Sequence, residues 1–99
     1  MAGESHYQSH LIKRIKYLLP GAYVLKNDPT GMQGIPDLLV LHGPRWAMLE
    51  VKMHKNARIQ PNQKYYVEDL NKMSFAAFIF PENEEDVLNA LQQSLGTPW

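Results

Sequence analysis

The sequence predicts an α/β (α+β) fold in which a mixed β-sheet is flanked by helices, with elements in the order α-β-β-β-α-β-α. Three observations carry this. Apolar residues recur at intervals of three and four near both ends of the chain, two β-rich runs lie either side of a short turn, and one continuous apolar run separates two helical stretches.

Leu11, Ile12, Ile15, Leu18 and Leu19 give residues 5–19 the stripe of an amphipathic helix, which Pro20-Gly21 ends. Ser5, with Gln8 three residues on, has the pattern of a capping box and sets the start near Ser5. Ala22 to Lys26 reads as a short strand. Residues 27–34, rich in Asn, Asp, Pro and Gly, read as a loop long enough to be functional. Asp37 to Leu41 and Trp46 to Met53 are the strands of a hairpin turned at His42-Gly43-Pro44-Arg45. Pro61 suits the first turn of a second helix whose inward face is Gln63, Tyr66, Val67, Leu70 and Met73. Phe75 to Phe80 reads as a buried strand, stopped by Pro81. The last helix has Glu84 to Asp86 at its positive N-terminal end, Val87, Leu88, Leu91 and Leu95 inward, and Gly96 beyond it. Tyr65, Tyr66, Phe75, Phe78 and Phe80 are expected to fill the core.

At 99 residues the chain is expected to form a single domain, residues 1–99. There is no cysteine, which excludes disulfides, thiolate metal sites and cysteine nucleophiles. No apolar run is long enough to span a membrane and the first ten residues are polar, so a cytoplasmic protein is the expectation. Formal charge is zero, but its distribution is uneven. Residues 1–64 carry nine Lys/Arg against four Asp/Glu, and residues 65–99 one Lys against six acids. With some of the early acids neutralised by a cation, the first two-thirds would present a positive surface suited to a phosphate backbone; a solvated surface of mixed charge explains the same asymmetry.

The chemistry is concentrated in the hairpin. Gly34-Ile35-Pro36-Asp37 puts a carboxylate where a loop enters the apolar run 38–41, and Glu50 and Lys52 interrupt the otherwise apolar run 46–53. Alternation puts Glu50 and Lys52 on one face, Cα atoms about 6.5–7 Å apart. Buried Asp, Glu and Lys are costly unless paired or metal-bound. A structural ion pair is one resolution. The other is that Asp37 and Glu50 hold a hard divalent cation such as Mg2+, with Lys52 placed to hold an attacking water or balance charge on a phosphate.

Asp37, then twelve residues, then Glu50-Val51-Lys52 resembles the PD-(D/E)xK nuclease superfamily. More closely, the chain resembles the VRR-NUC group: a Glu/Gln-bearing first helix, Lys26-Asn27, a glycine loop ending Gly34-Ile35-Pro36-Asp37-Leu38, Glu50-Val51-Lys52, and a glutamine opening the next helix, over roughly residues 4 to 80. The resemblance implies Asp37, Glu50 and the Val51 carbonyl as metal ligands, Lys52 as the catalytic lysine and Gln63 as the motif glutamine near it, with Gln60 a competing candidate that could instead form the N-cap. Glu4 matches an acidic residue that the first helix often supplies, although it or Gln8 could equally serve only the helix end. Gly31 and Gly34 allow positive φ or close approach to a phosphate. Lys26, Lys55 and Arg58 are candidate phosphate contacts or plain surface charges. His6 and His10 lie one helical turn apart but have no evident third ligand, so they read as exposed helix residues.

The resemblance implies a Mg2+- or Mn2+-dependent endonuclease cutting DNA, with a four-way junction as the expected substrate, acting as a homodimer of the stand-alone phage or bacterial type. No small-molecule cofactor or membrane is implied. The alternative is a module with the same fold that grips nucleic acid without cutting.

Overall fold

The computed structural model describes residues 3–96. Its elements are α1 (Glu4–Leu18), β1 (Tyr23–Lys26), β2 (Leu38–His42), β3 (Arg45–Val51), α2 (Pro61–Met73), β4 (Phe75–Ile79) and α3 (Glu84–Leu95), the order read from the sequence. The four strands form one sheet in chain order, β1-β2-β3 antiparallel and β4 parallel to β3. β2 and β3 pair Leu38 with Leu49 and Val40 with Ala47, and all four residues are buried on one face. Against that face α1 brings Leu11, Ile15 and Leu19, and α3 brings Val87, Leu88, Leu91 and Leu95. α2 packs on the other face, over β3 and β4. Alternation therefore separates the sheet into a fully covered core side and a side that only α2 shields.

The hairpin turns on Gly43-Pro44, and Gly43 takes φ +61°, which a glycine adopts without penalty. Among the described residues no helix is long and apolar enough to cross a membrane.

Several expectations are corrected. The N-cap of α1 is Gly3, which has no side chain to cap with, so Ser5 lies inside the first turn and Gln8 donates to Glu4 Oε2 at 3.2 Å instead of capping. β3 ends at Val51, leaving Lys52 just past the strand. β4 is an edge strand in which only Ala76 and Ile79 are buried. Met73 and Tyr65 are 65% and 62% exposed: Met73 sits on the last turn, on the flank of the inward stripe, and Tyr65 points away from the sheet, its ring edge-to-face with Tyr66. Tyr66, Phe75, Phe78 and Phe80 are half-buried.

Candidate active site

The register places the candidate residues. Leu38 and Leu49 face the core, so Asp37 and Glu50, their neighbours in sequence, fall on the opposite side of the sheet at the same end. Asp37 is held from behind. Asn27 donates its backbone N–H to the Asp37 carbonyl and its Nδ2 to the Pro36 carbonyl, both at 2.8 Å, fixing the loop that delivers the carboxylate. Asp37 Oδ2 in turn accepts the Val51 amide at 2.9 Å.

Glu50 is only 3% exposed. Its Oε2 accepts from Gln63 Nε2 at 3.1 Å and lies 3.7 Å from Lys52 Nζ. Lys52 Nζ donates to Gln63 Oε1 at 2.9 Å, so one amide bridges the carboxylate and the ammonium. The same Oε1 accepts the Gln60 backbone N–H at 2.9 Å, completing a capping box in which Gln60 is the N-cap of α2. Gln60 and Gln63 thus take different jobs: Gln60 caps, and Gln63 both caps and reaches the charged pair.

The electrostatics follow from crowding. Burial and then the neighbouring Asp37 push the Glu50 carboxyl up to about 8, with Lys52 pulling the other way. Burial also raises Asp37, against the Val51 amide, a hydrogen bond with Glu50 and the charge of Lys52. A hydrogen bond joins the two carboxyl groups, and burial beside a like charge favours a proton shared between them. A bound cation would take the place of that proton. Two adjacent hard oxygen donors fit Mg2+ or Mn2+, which keeps water and substrate oxygens in its remaining positions. Among the described residues no group of three His, Cys, Asp or Glu is set to hold an ion alone, so Asp37 and Glu50 would be joined by non-carboxylate donors such as the Val51 carbonyl.

Glu4, the first residue of α1, is within electrostatic reach. Its carboxyl is raised by burial and then by Asp37, and lowered by Lys52 and Gln8, but its hydrogen bond is to Gln8. Lys26, Lys55 and Arg58 are exposed. Gly34 has φ +92°, and a Cβ there would fall 2.6 Å from Asn62 Cγ, so α2 lies close beside it; Asn62 Nδ2 donates to the Gln33 carbonyl at 3.1 Å. Gly31 has neither positive φ nor a neighbour within 4 Å, and the conformational reason for a glycine there is absent. His10 is not a lone surface histidine: its Nε2 lies 3.1 Å from Glu84 Oε2.

Sequence reasoning quoted Asn27 only as part of the family pattern, without its role as the clamp on Asp37, and missed Asn62 as the partner of Gly34, which nothing in the sequence marks. Two surface hollows, one along β1 at Tyr23 to Leu25 and one around Arg45, Trp46 and Phe75, are lined by none of Asp37, Glu50 and Lys52.

A four-stranded mixed sheet with helices on both faces, whose hairpin carries two carboxylates and a lysine to one end, is the PD-(D/E)xK-like architecture expected from the sequence. Among solved structures the chain is similar to a protein described as "VRR_NUC domain protein", at 20% identity and TM-score 0.67 over 97% of this chain and 92% of that one. It is similar to a "VRR_NUC domain" at 26% identity and TM-score 0.67, over 91% of this chain and 94% of that one. A more distant likeness, 16% identity and TM-score 0.53 over 76% of this chain and 66% of the other, is to Hjc of Archaeoglobus fulgidus, a Holliday junction resolvase from an archaeal hyperthermophile. No family model and no curated protein matches the sequence. The fold is that of the VRR-NUC domains, and the resemblance read from the sequence agrees with it.

Proposed function

We propose that the chain is a Mg2+- or Mn2+-dependent endonuclease that hydrolyses phosphodiester bonds in DNA, with branched DNA such as a four-way junction as its substrate. One observation carries this reading: Asp37 and Glu50 share a hydrogen bond at the sheet end while Gln63 holds Lys52 beside them. Two acids and a lysine meant only to neutralise one another would settle into a direct pair. Here the lysine is 3.7 Å from Glu50 and bonded to an amide, and the acids depend on a shared proton.

Asp37 and Glu50, with the Val51 carbonyl, would hold a divalent cation, which when bound would supply Lewis-acid charge and lower the pKa of water. Lys52, one of its three N–H groups engaged by Gln63, directs the others toward a phosphate oxygen or the attacking water. Gln63 fixes the lysine's position, which matters because misplacement by about 1 Å is worth on the order of 100-fold in rate. Lys26, Lys55 and Arg58 are exposed cations for the flanking phosphates. A VRR-NUC fold and the likeness to a junction resolvase support the substrate class. What supports a homodimer is the sheet face beyond the reach of α2, where Tyr23 and Leu25 are 71% and 48% exposed. The working place is the cytoplasm of a bacterial or phage-infected cell.

Supercoiled plasmid and a synthetic four-way junction, each incubated with and without Mg2+ or Mn2+, test the reading. Nicked plasmid and resolved junction only with metal are expected, both lost in Lys52→Ala with the gel shift retained. A shift without cleavage under every metal condition would leave a binding module in its place.

A further inference from the structure

The strand register puts one end of the sheet at Lys26, Leu38, Val51 and Ile79, where β1 ends, β2 begins, and β3 and β4 end. Asp37 and Glu50 lie at this end, and three loops leave it, residues 27–37, 52–60 and 80–83. Loop 52–60 has no Asp or Glu and carries Lys55 and Arg58 beyond Lys52. It also exposes two large apolar side chains, Met53 at 38% and Ile59 at 45%. The acids at this end outside the site pair, Asp28 and Glu82, stand on the other two loops, so this loop alone is purely cationic.

Both ends of loop 52–60 are anchored at the site. Lys52 donates its backbone N–H to the Ile79 carbonyl at 2.8 Å and its Nζ to Gln63 Oε1 at 2.9 Å. Gln60 donates its backbone N–H to the same Oε1 at 2.9 Å. Met53 follows the first anchor and Ile59 precedes the second, so each is one residue from a group bonded to the amide that touches Glu50. Between them the Ala57 N–H bonds the His54 carbonyl at 3.1 Å, closing a turn. Single exposed apolar side chains need no explanation. Two of them flanking a cationic turn at the mouth of a phosphodiester site are another matter. Cations suit phosphates, and Met and Ile are among the side chains that wedge between bases.

We propose that Met53 and Ile59 determine the preference for branched DNA: they enter the break in base stacking at the branch point, while Lys55 and Arg58 hold the phosphates beside it. This rests on the branched-DNA reading above. In a continuous duplex such a wedge must first unstack a base step. At a branch the stack is already interrupted, so the same insertion costs less, and the difference is selectivity. The tie of the loop to Lys52 and Gln60 then sets the phosphate next to the branch beside the carboxylates.

A four-way junction with 2-aminopurine at the branch point, and a linear duplex with the same base in the same sequence, are titrated in EDTA. Unstacking brightens 2-aminopurine, and the wild-type chain is expected to brighten the junction and not the duplex. In the double variant Met53→Ser with Ile59→Ser, the ratio of junction to duplex affinity should fall about 10-fold, the worth of taking roughly half of an aliphatic side chain out of water, and the brightening should vanish. Both side chains are exposed, so these changes leave the core intact. Met53→Leu with Ile59→Leu should keep the ratio and the signal. Lys55→Ala should weaken both DNAs alike and lower the salt dependence. A junction bound by wild type without brightening, or a serine variant that loses equally on both DNAs, overturns the proposal. So does a serine variant that sediments as a monomer where wild type is a dimer, which would assign the two side chains to a second copy. A wild-type chain that cuts the junction with Mg2+ and fails the fluorescence test removes this inference alone; one that neither binds nor cuts either DNA removes the branched-DNA reading and this inference with it.

Discussion

Replacing Glu50 by Gln is expected to stabilise the metal-free protein while abolishing cutting. Glu50 is buried against Asp37, and its carboxyl is pushed from 4.5 to about 8. At about 1.4 kcal/mol per unit, holding it ionised above pH 8 costs on the order of 5 kcal/mol. A Gln side chain has the same shape, can accept from Gln63 Nε2 through its oxygen and can donate to Asp37 through its amide, in place of the shared proton. Relaxation and water entry reduce the gain, which we put at about 1–3 kcal/mol at pH 8. For a chain of this size that is a rise in Tm of roughly 5–15 °C. The pH dependence has a definite sign. Because the folded pKa of Glu50 is raised, its stabilising contribution is complete below 4.5 and is lost as pH rises to about 8, so the wild-type protein weakens across that window and the variant does not. Thermal unfolding by circular dichroism in EDTA from pH 5 to 9 reads both curves. A variant less stable than wild type at pH 8, or a difference between them that does not change with pH, would refute the reasoning.

Gln63→Ala removes the amide that joins Glu50, Lys52 and the cap of α2; cleavage should fall about 10–100-fold for a stability loss of about 1 kcal/mol, checked by plasmid nicking beside a melt. Gly34→Ala forces a side chain into φ +92° and against Asn62, and should destabilise by about 2 kcal/mol; pairing it with Asn62→Ala should restore the part owed to the clash. Glu84 has a lowered carboxyl, so its contribution is present above 4.5 and lost as pH falls through its folded value; Glu84→Gln should be less stable than wild type at pH 7, with the gap in Tm closing below about pH 4.

Much of this arrangement was legible because the signals are local. Strand alternation and the three-to-four spacing of apolar residues give the element order, and Asp37, Glu50 and Lys52 stand out as charges in apolar runs. What the sequence hides is long-range. Glu84 reads as a helix-start acid suited to the dipole, and only the packing of α1 onto α3, 70 to 77 residues apart in sequence, reveals it as a buried anchor. Met73 and Tyr65 follow the same logic in reverse: helical position is periodic, but whether anything covers that position depends on where the sheet ends. The N-cap at Gly3 rather than Ser5, two residues earlier, makes Glu4 the first residue of the helix, because a glycine serves as the cap without any side chain that the sequence could advertise.

Anomalous diffraction from crystals grown in Mn2+ addresses the cation directly. A peak within coordinating distance of both the Asp37 and Glu50 carboxylates, absent in Glu50→Gln crystals, is the result the account predicts; density showing those two carboxyl groups still joined by their hydrogen bond, with manganese bound elsewhere or nowhere, would contradict it.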